Sequence, residues 1–198
     1  ISSKELLARE LEMKINNCWN MAELEDIYLP YKPKRKTRAS AAREKGLEPL
    51  AEIIMTQKED QLDKIAEKYL NEEVPDIESA LAGARDIIAE WINENTDARN
   101  KIRQLFERDA IISSKVIEKK KDEGVKYQDY FDFSEPLERC AGHRLLAIRR
   151  AEQEGILRVS ISIDNENAFE NLEKIFIKNK NESAIQVGLS IKDAHKRL

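Results

Sequence analysis

Apolar residues recur at helical spacing along most of this chain. Leu7, Leu11, Ile15, Cys18, Trp19 and Ala22 fall at steps of three and four, which predicts one amphipathic helix ending by Leu29-Pro30. Thr37 is placed to cap a short helix through Lys45 that Gly46 stops, and Leu47–Gln57 and Gln61–Leu70 predict two more. Val74-Pro75-Asp76 marks a boundary, with Asp76 as the next N-cap. Ile77, Leu81, Ala84, Ile87, Ile88, Trp91 and Ile92 then trace one face over four turns, with Trp91 expected as a core anchor. Thr96 or Asp97 caps a following helix whose Ile102, Leu105 and Phe106 face inward. From Ala98 that helix either runs on to about Lys121 or breaks near Ile111, and Gly124 ends it.

The pattern loosens after Gly124. Tyr127, Tyr130, Phe131 and Phe133 cluster before Pro136, spaced either to stack on bases or to pack between helices. Packing is the expected role. Ala141–Glu154 reads as a helix stopped by Gly155. Leu157–Ile163 alternates apolar and polar strictly and is the one convincing strand. A lone strand is not stable, so its partner is expected in Ser183–Val187 or outside the chain. Asn165 to about Lys178 is a further helix. The fold class expected is mainly α, with a minor β element near Leu157–Ile163.

Composition agrees with that reading. Charged residues make up 36% and aromatic residues 6%, which suits a soluble helical protein with a charge-laced surface. No apolar run approaches the roughly 20 residues that span a bilayer, so no membrane partner and a cytoplasmic location are expected. Cys18 and Cys140 fit no metal spacing and read as reduced core residues. With only His143 and His195 beside them, no metal site is expected. The six glycines are isolated and form no phosphate loop, so neither cofactor nor catalytic residue is assigned. The chain opens at Ile1 and closes at Leu198 inside helix-like patterns, and reads as part of a longer protein.

One segment departs from an acidic background. Lys32, Lys34, Arg35, Lys36 and Arg38 place five cations within seven residues, in a chain of formal charge −4. Pro30 and Pro33 bias the residues before them toward extended geometry, and Tyr28 and Tyr31 brace the run. Such a run contacts phosphate or pairs with carboxylates of the same protein. Glu23, Glu25 and Asp26 are expected to balance it. A split is favoured, with some cations paired internally and Lys36 and Arg38 left for phosphate. His143 and Arg144, at the start of a helix, are secondary candidates; for His143 a capping or core-bridging role is the stronger alternative.

Several segments together resemble the Tex family of bacterial transcription accessory proteins. They are Leu24–Arg38 with Ala42–Ala51, Ala80–Glu90, Glu123–Pro136 and His143–Arg149, while Asp193–Leu198 is similar to a helix start in that family. Asn165–Gln186 matches no motif. The resemblance implies residues 1–75 as an N-terminal helical region carrying the basic segment 28–38. Residues 76–198 would be a central helical region with one strand, truncated before an RNase H-like (YqgF-type) domain. It also implies helix-hairpin-helix and OB-fold modules further on, which would hold most of the contact with nucleic acid, RNA ahead of DNA, and transcription machinery as a partner. The function expected is a non-catalytic scaffold and nucleic-acid-interaction region. Its rival is the accessory region of a nucleic-acid-processing enzyme whose active site lies in the downstream RNase H-like domain.

Overall fold

The computed structural model describes residues 11–28 and 36–197, without the side chain of Ala22. Residues 11–16 are helical. The α-helices that follow are Met21–Tyr28 (α1), Arg38–Glu44 (α2), Glu48–Thr56 (α3), Leu62–Ala66 (α4), Ile77–Glu94 (α5) and Thr96–Asp109 (α6). Strands Ile111–Val116 (β1) and Asp132–Pro136 (β2) precede helix Gly142–Gln153 (α7) and strand Leu157–Ser162 (β3). Helices Asn165–Phe176 (α8) and Glu182–His195 (α9) complete the order. The fold is mainly α with one small sheet, as the periodicity implies. Its contacts divide into two units, Ile1–Arg99 with Glu173–Leu198, and Asn100–Leu172.

In the first unit α5 is the central helix, packed by α2, α3, α4 and α9. Asp76 accepts from the backbone N–H of Ser79 at 2.7 Å, and Thr37 from that of Ser40 at 3.0 Å, so both N-caps form where their residue types favour them. The buried face of α5 holds Ala80, Leu81, Ala84, Ile87, Ile88 and Ile92. Gly83 sits on the same helix because a Cβ there would collide with the Leu47 side chain. Trp91 is only half-buried, so the anchor of this helix is its isoleucines rather than the tryptophan.

The structure corrects the N-terminal helix. Residues 17–20 interrupt it, at an Asn16-Asn17 pair of modest helix propensity, and α1 restarts at Met21. Leu7 lies outside the described residues. Trp19 is 95% exposed and Met21 79%, so the apolar stripe expected there does not face inward. Cys18 and Cys140 are free and half-exposed, not core residues.

Gln57 joins the two sequence-distant parts of this unit. It ends α3 in the left-handed region, at φ 54° and ψ 40°, which is uncommon for a residue with a side chain. Its side-chain amide is fully buried and bonded through both of its polar atoms: Nε2 donates to the carbonyl of Phe176 at 2.6 Å, while Oε1 accepts from the N–H of Lys178 at 2.8 Å and Asn179 at 3.2 Å. The Asn179 and Asn181 side chains each return a bond of 2.7 Å to the Gln57 carbonyl. Asn181 also caps α9, accepting from Ala184 N–H at 3.0 Å. Residues 183–187 are therefore helical and supply no strand.

The second unit holds a three-stranded antiparallel sheet in the order β2-β1-β3. The partner of β3 is β1, a segment that reads in sequence as a helix or its break. Asn95, not Thr96 or Asp97, caps α6, accepting from Ala98 N–H at 2.9 Å. One sheet face is apolar: Ile112 and Leu157 are buried, and the buried Ser114 hydroxyl donates to the Tyr130 carbonyl at 2.7 Å. Tyr127, Ala151, Ile156 and Leu157 form its core, with Val116, Tyr130, Phe131 and Val159 packed around them. The Tyr127 hydroxyl donates to Glu154 at 2.8 Å, and Tyr130 meets Phe133 edge-to-face at 5.5 Å. The aromatic cluster is thus packing, as expected, but between turns, sheet and α7 rather than between helices.

Candidate nucleic-acid interface

Lys32, Lys34 and Arg35 lie outside the described residues. Lys36 and Arg38 flank Thr37, the residue whose cap starts α2. Thr37 and Arg43 converge on the buried Glu90 of α5: the hydroxyl donates to Oε2 at 3.1 Å, and the guanidinium to Oε1 at 2.6 Å. Arg43 also donates to Glu48 at 3.0 Å. Burial alone would lower the Arg43 pKa, but these bonds to Glu90 and Glu48 more than offset it and the net direction is upward.

Arg38 is tied to two helices. Its Nη2 donates to Asp193 of α9 at 2.8 Å, and its Nε lies 3.3 Å from Asp86 of α5. Arg197 pairs with the same Asp193 and approaches Asp86 at 3.7 Å. Burial raises the Asp86 carboxyl above its ordinary value and Asp193 adds to the rise, while Arg38, Arg197 and Arg85 oppose it. Lys36 lies 3.4 Å from Glu44, with both side chains well exposed, a pair that contributes little. Of the two cations expected to remain for phosphate, Arg38 therefore already has carboxylate partners. Asp26, expected to balance the basic run, pairs with Arg99.

His143 and Arg144 belong to the other unit, in the first turn of α7. His143 is exposed and neither caps the helix, whose N-cap is Ala141, nor bridges the core. Arg144 is held by Glu135 of β2 at 2.7 Å. The carboxylates that organise this region, Asp86, Glu90 and Asp193, carry no local sequence signal, because Arg38 and Asp193 are 155 positions apart. Asp193 also lies in the last turn of α9, which ends at His195, instead of opening a helix.

His195, in the last turn of α9, is half-buried, and burial lowers its pKa from the ordinary value of 6.5. A depressed folded-state value means that the stability is fully present above 6.5 and is lost as pH falls through the folded value. Melting temperatures taken downward from neutral pH should drop in that window, and His195→Gln should flatten the drop. Among the described residues no group of His, Cys, Asp and Glu is gathered that could hold a metal ion, and no helix is long and apolar enough to cross a membrane.

Comparison with known proteins adds identity to this geometry. A family model described as Tex central region-like matches residues 57–197. The chain is 35% identical over its whole length to the transcriptional accessory protein Tex of Neisseria gonorrhoeae, of which it covers 26%. It is 41% identical over 166 residues, 83% of the chain, to the protein tex of Bordetella pertussis, covering 21% of that relative. Against the human S1 RNA-binding domain-containing protein 1 it is 30% identical over 162 residues, 75% of the chain and 16% of that protein. The chain thus spans about a quarter or less of the length of these relatives. A match that includes α5, the sheet and α9, and so takes in the carboxylates that hold Arg38, shows that the chain belongs to the Tex family of transcription accessory proteins.

Proposed function

We propose that this chain is a non-catalytic helical scaffold and nucleic-acid-interaction region of a Tex-like transcription accessory protein. It meets nucleic acid, RNA ahead of DNA, through the cations of the 32–38 run. The observation that carries the reading is the attachment of Arg38 to α5 and α9 through Asp86 and Asp193. The last cation of the run is fixed to the interlocked helices, so a phosphate bound at this run is coupled to the body of the protein. The names of the relatives support the nucleic-acid reading, since one is a transcriptional accessory protein and another carries an S1 RNA-binding domain in its name. Most of the affinity, and contact with transcription machinery, is assigned to domains beyond this chain.

The test is replacement of Lys32, Lys34, Arg35, Lys36 and Arg38 by Gln. Five phosphate contacts on a single strand would steepen the salt dependence by at most about 3.5 log units per log unit of salt, at roughly 0.7 per contact. The variant should lose up to that much slope and bind single-stranded RNA more weakly at low salt. Arg38→Gln alone should lower stability by no more than about 1 kcal/mol, because the Arg38 side chain is itself exposed and Arg197 still faces Asp86 and Asp193. An unchanged slope in the fivefold variant would remove the run from the interface.

A further inference from the structure

The outward face of the sheet has a composition that its own stability does not explain. Alternate residues of a strand share a face, so Ile111, Ser113 and Lys115 of β1 lie opposite the buried Ile112 and Ser114. The register places Ser134, Ser113 and Ser160 in one row across the three strands, and Asp132, Lys115 and Arg158 in the next. The Ser113 and Ser160 hydroxyls are 2.9 Å apart. Lys115 and Arg158 stand directly opposite one another, and like charges in that position destabilise a sheet. Both are exposed, and neither forms an ion pair within 4 Å among the described residues, although Asp132 is the register partner of Lys115 on its other side. Among the described residues, Lys120, Lys126, Arg144 and Arg149 of the same unit have carboxylate partners at ion-pair distance while Lys119, Lys121, Arg139 and Arg150 do not, so what sets Lys115 and Arg158 apart is that they face one another across the strands.

Next to the cation row the surface opens into a shallow cavity of about 340 Å³ lined by Lys115, Val116, Glu118, Lys121, Phe131 and Asp132. It joins Phe131, a half-buried ring that packs against the core and also lines the cavity, to two lysines, with Glu118 and Asp132 as the opposing charges. Unpaired cations and hydroxyl donors suit phosphate, and an aromatic ring in an adjoining cavity suits an unstacked base. A duplex keeps its bases stacked and would leave that cavity unused.

We propose that this face, centred on Lys115, Arg158 and the Ser113–Ser160 pair, is a second nucleic-acid contact, binding the backbone of a single strand with one base directed toward Phe131. It is separate in sequence and in unit from the 32–38 run, and its chemistry selects single strands over duplexes. The like-charge pair is kept at a cost to the sheet because the ligand supplies the counter-charge.

The experiment measures binding of the 198-residue chain to a fluorescent single-stranded oligouridylate and to a blunt duplex of the same length, across a salt series at low ionic strength. Lys115→Gln/Arg158→Gln should weaken oligouridylate binding about 5- to 10-fold and reduce its salt slope by about 1.4, for two contacts at roughly 0.7 each. Its melting temperature should be unchanged or higher, since a repulsive pair is removed. Arg158→Gln alone, on an edge strand, should move both readouts in the same direction by about half, and Lys115→Arg/Arg158→Lys should retain wild-type binding. Unchanged oligouridylate affinity in the double Gln variant overturns the proposal, as does an equal loss on the blunt duplex. If the fivefold 32–38 variant loses affinity while the sheet variant does not, this inference fails and the reading above stands.

Discussion

Gln57→Ala is expected to destabilise the protein by about 2–4 kcal/mol, read as a lower urea midpoint with an unchanged m-value. The substitution leaves the Phe176 carbonyl and the N–H groups of Lys178 and Asn179 without their partner, and each orphaned polar group costs roughly 1–3 kcal/mol, reduced where water can enter. A non-glycine residue at φ 54° adds backbone strain that the side-chain bonds now offset. Gln57→Gly relieves the strain but not the lost bonds, so it should recover only a small part of the loss. Gln57→Glu sets a buried carboxylate oxygen against the Phe176 carbonyl in place of a donor, and should cost at least as much as Ala at neutral pH. Wild-type stability in Gln57→Ala would mean that residues 176–181 are held by other contacts.

Ile88→Ala should cost about 3–4 kcal/mol, within the range for a fully buried aliphatic truncated to Ala. Ile88 is completely inaccessible on a helix surrounded by α2, α3, α4 and α9, so the cavity has little room to collapse. Ile88→Val removes one methylene and should cost about 0.5–1.5 kcal/mol. A loss below about 1 kcal/mol for Ile88→Ala would show that α5 is not the centre of its unit. Circular dichroism of both variants should retain the wild-type helical signal at low temperature.

Local signals account for much of this fold. The stripe on α5 and its Asp76 cap, the Thr37 cap of α2 and the alternation of β3 are all legible because each is decided by neighbours within a few positions. The strand β1 was not, because Ile-Ile-Ser-Ser-Lys-Val continues an apolar pattern after α6 and becomes a strand only by pairing with β2 and β3. The segment leading into α9 hid its partner in a similar way: Asn165–Gln186 matches no motif, yet it carries the Phe176–Asn181 stretch that Gln57 binds. At the basic run, composition identified the cations but not Asp86, Glu90 and Asp193, since ion-pair partners are chosen by three-dimensional packing. The unpaired Lys115 and Arg158 were equally invisible, because facing one another is a property of register and not of sequence spacing.

The most direct test of the scaffold account is the salt dependence of this chain binding single-stranded RNA, from about 50 to 200 mM monovalent salt. A chain of formal charge −4 whose contacts are a short cation run and a small sheet face should bind weakly, without sequence preference, and with an affinity that collapses as salt rises. Tight binding that persists across the series would contradict the account, because it would place a dedicated recognition pocket within the chain itself.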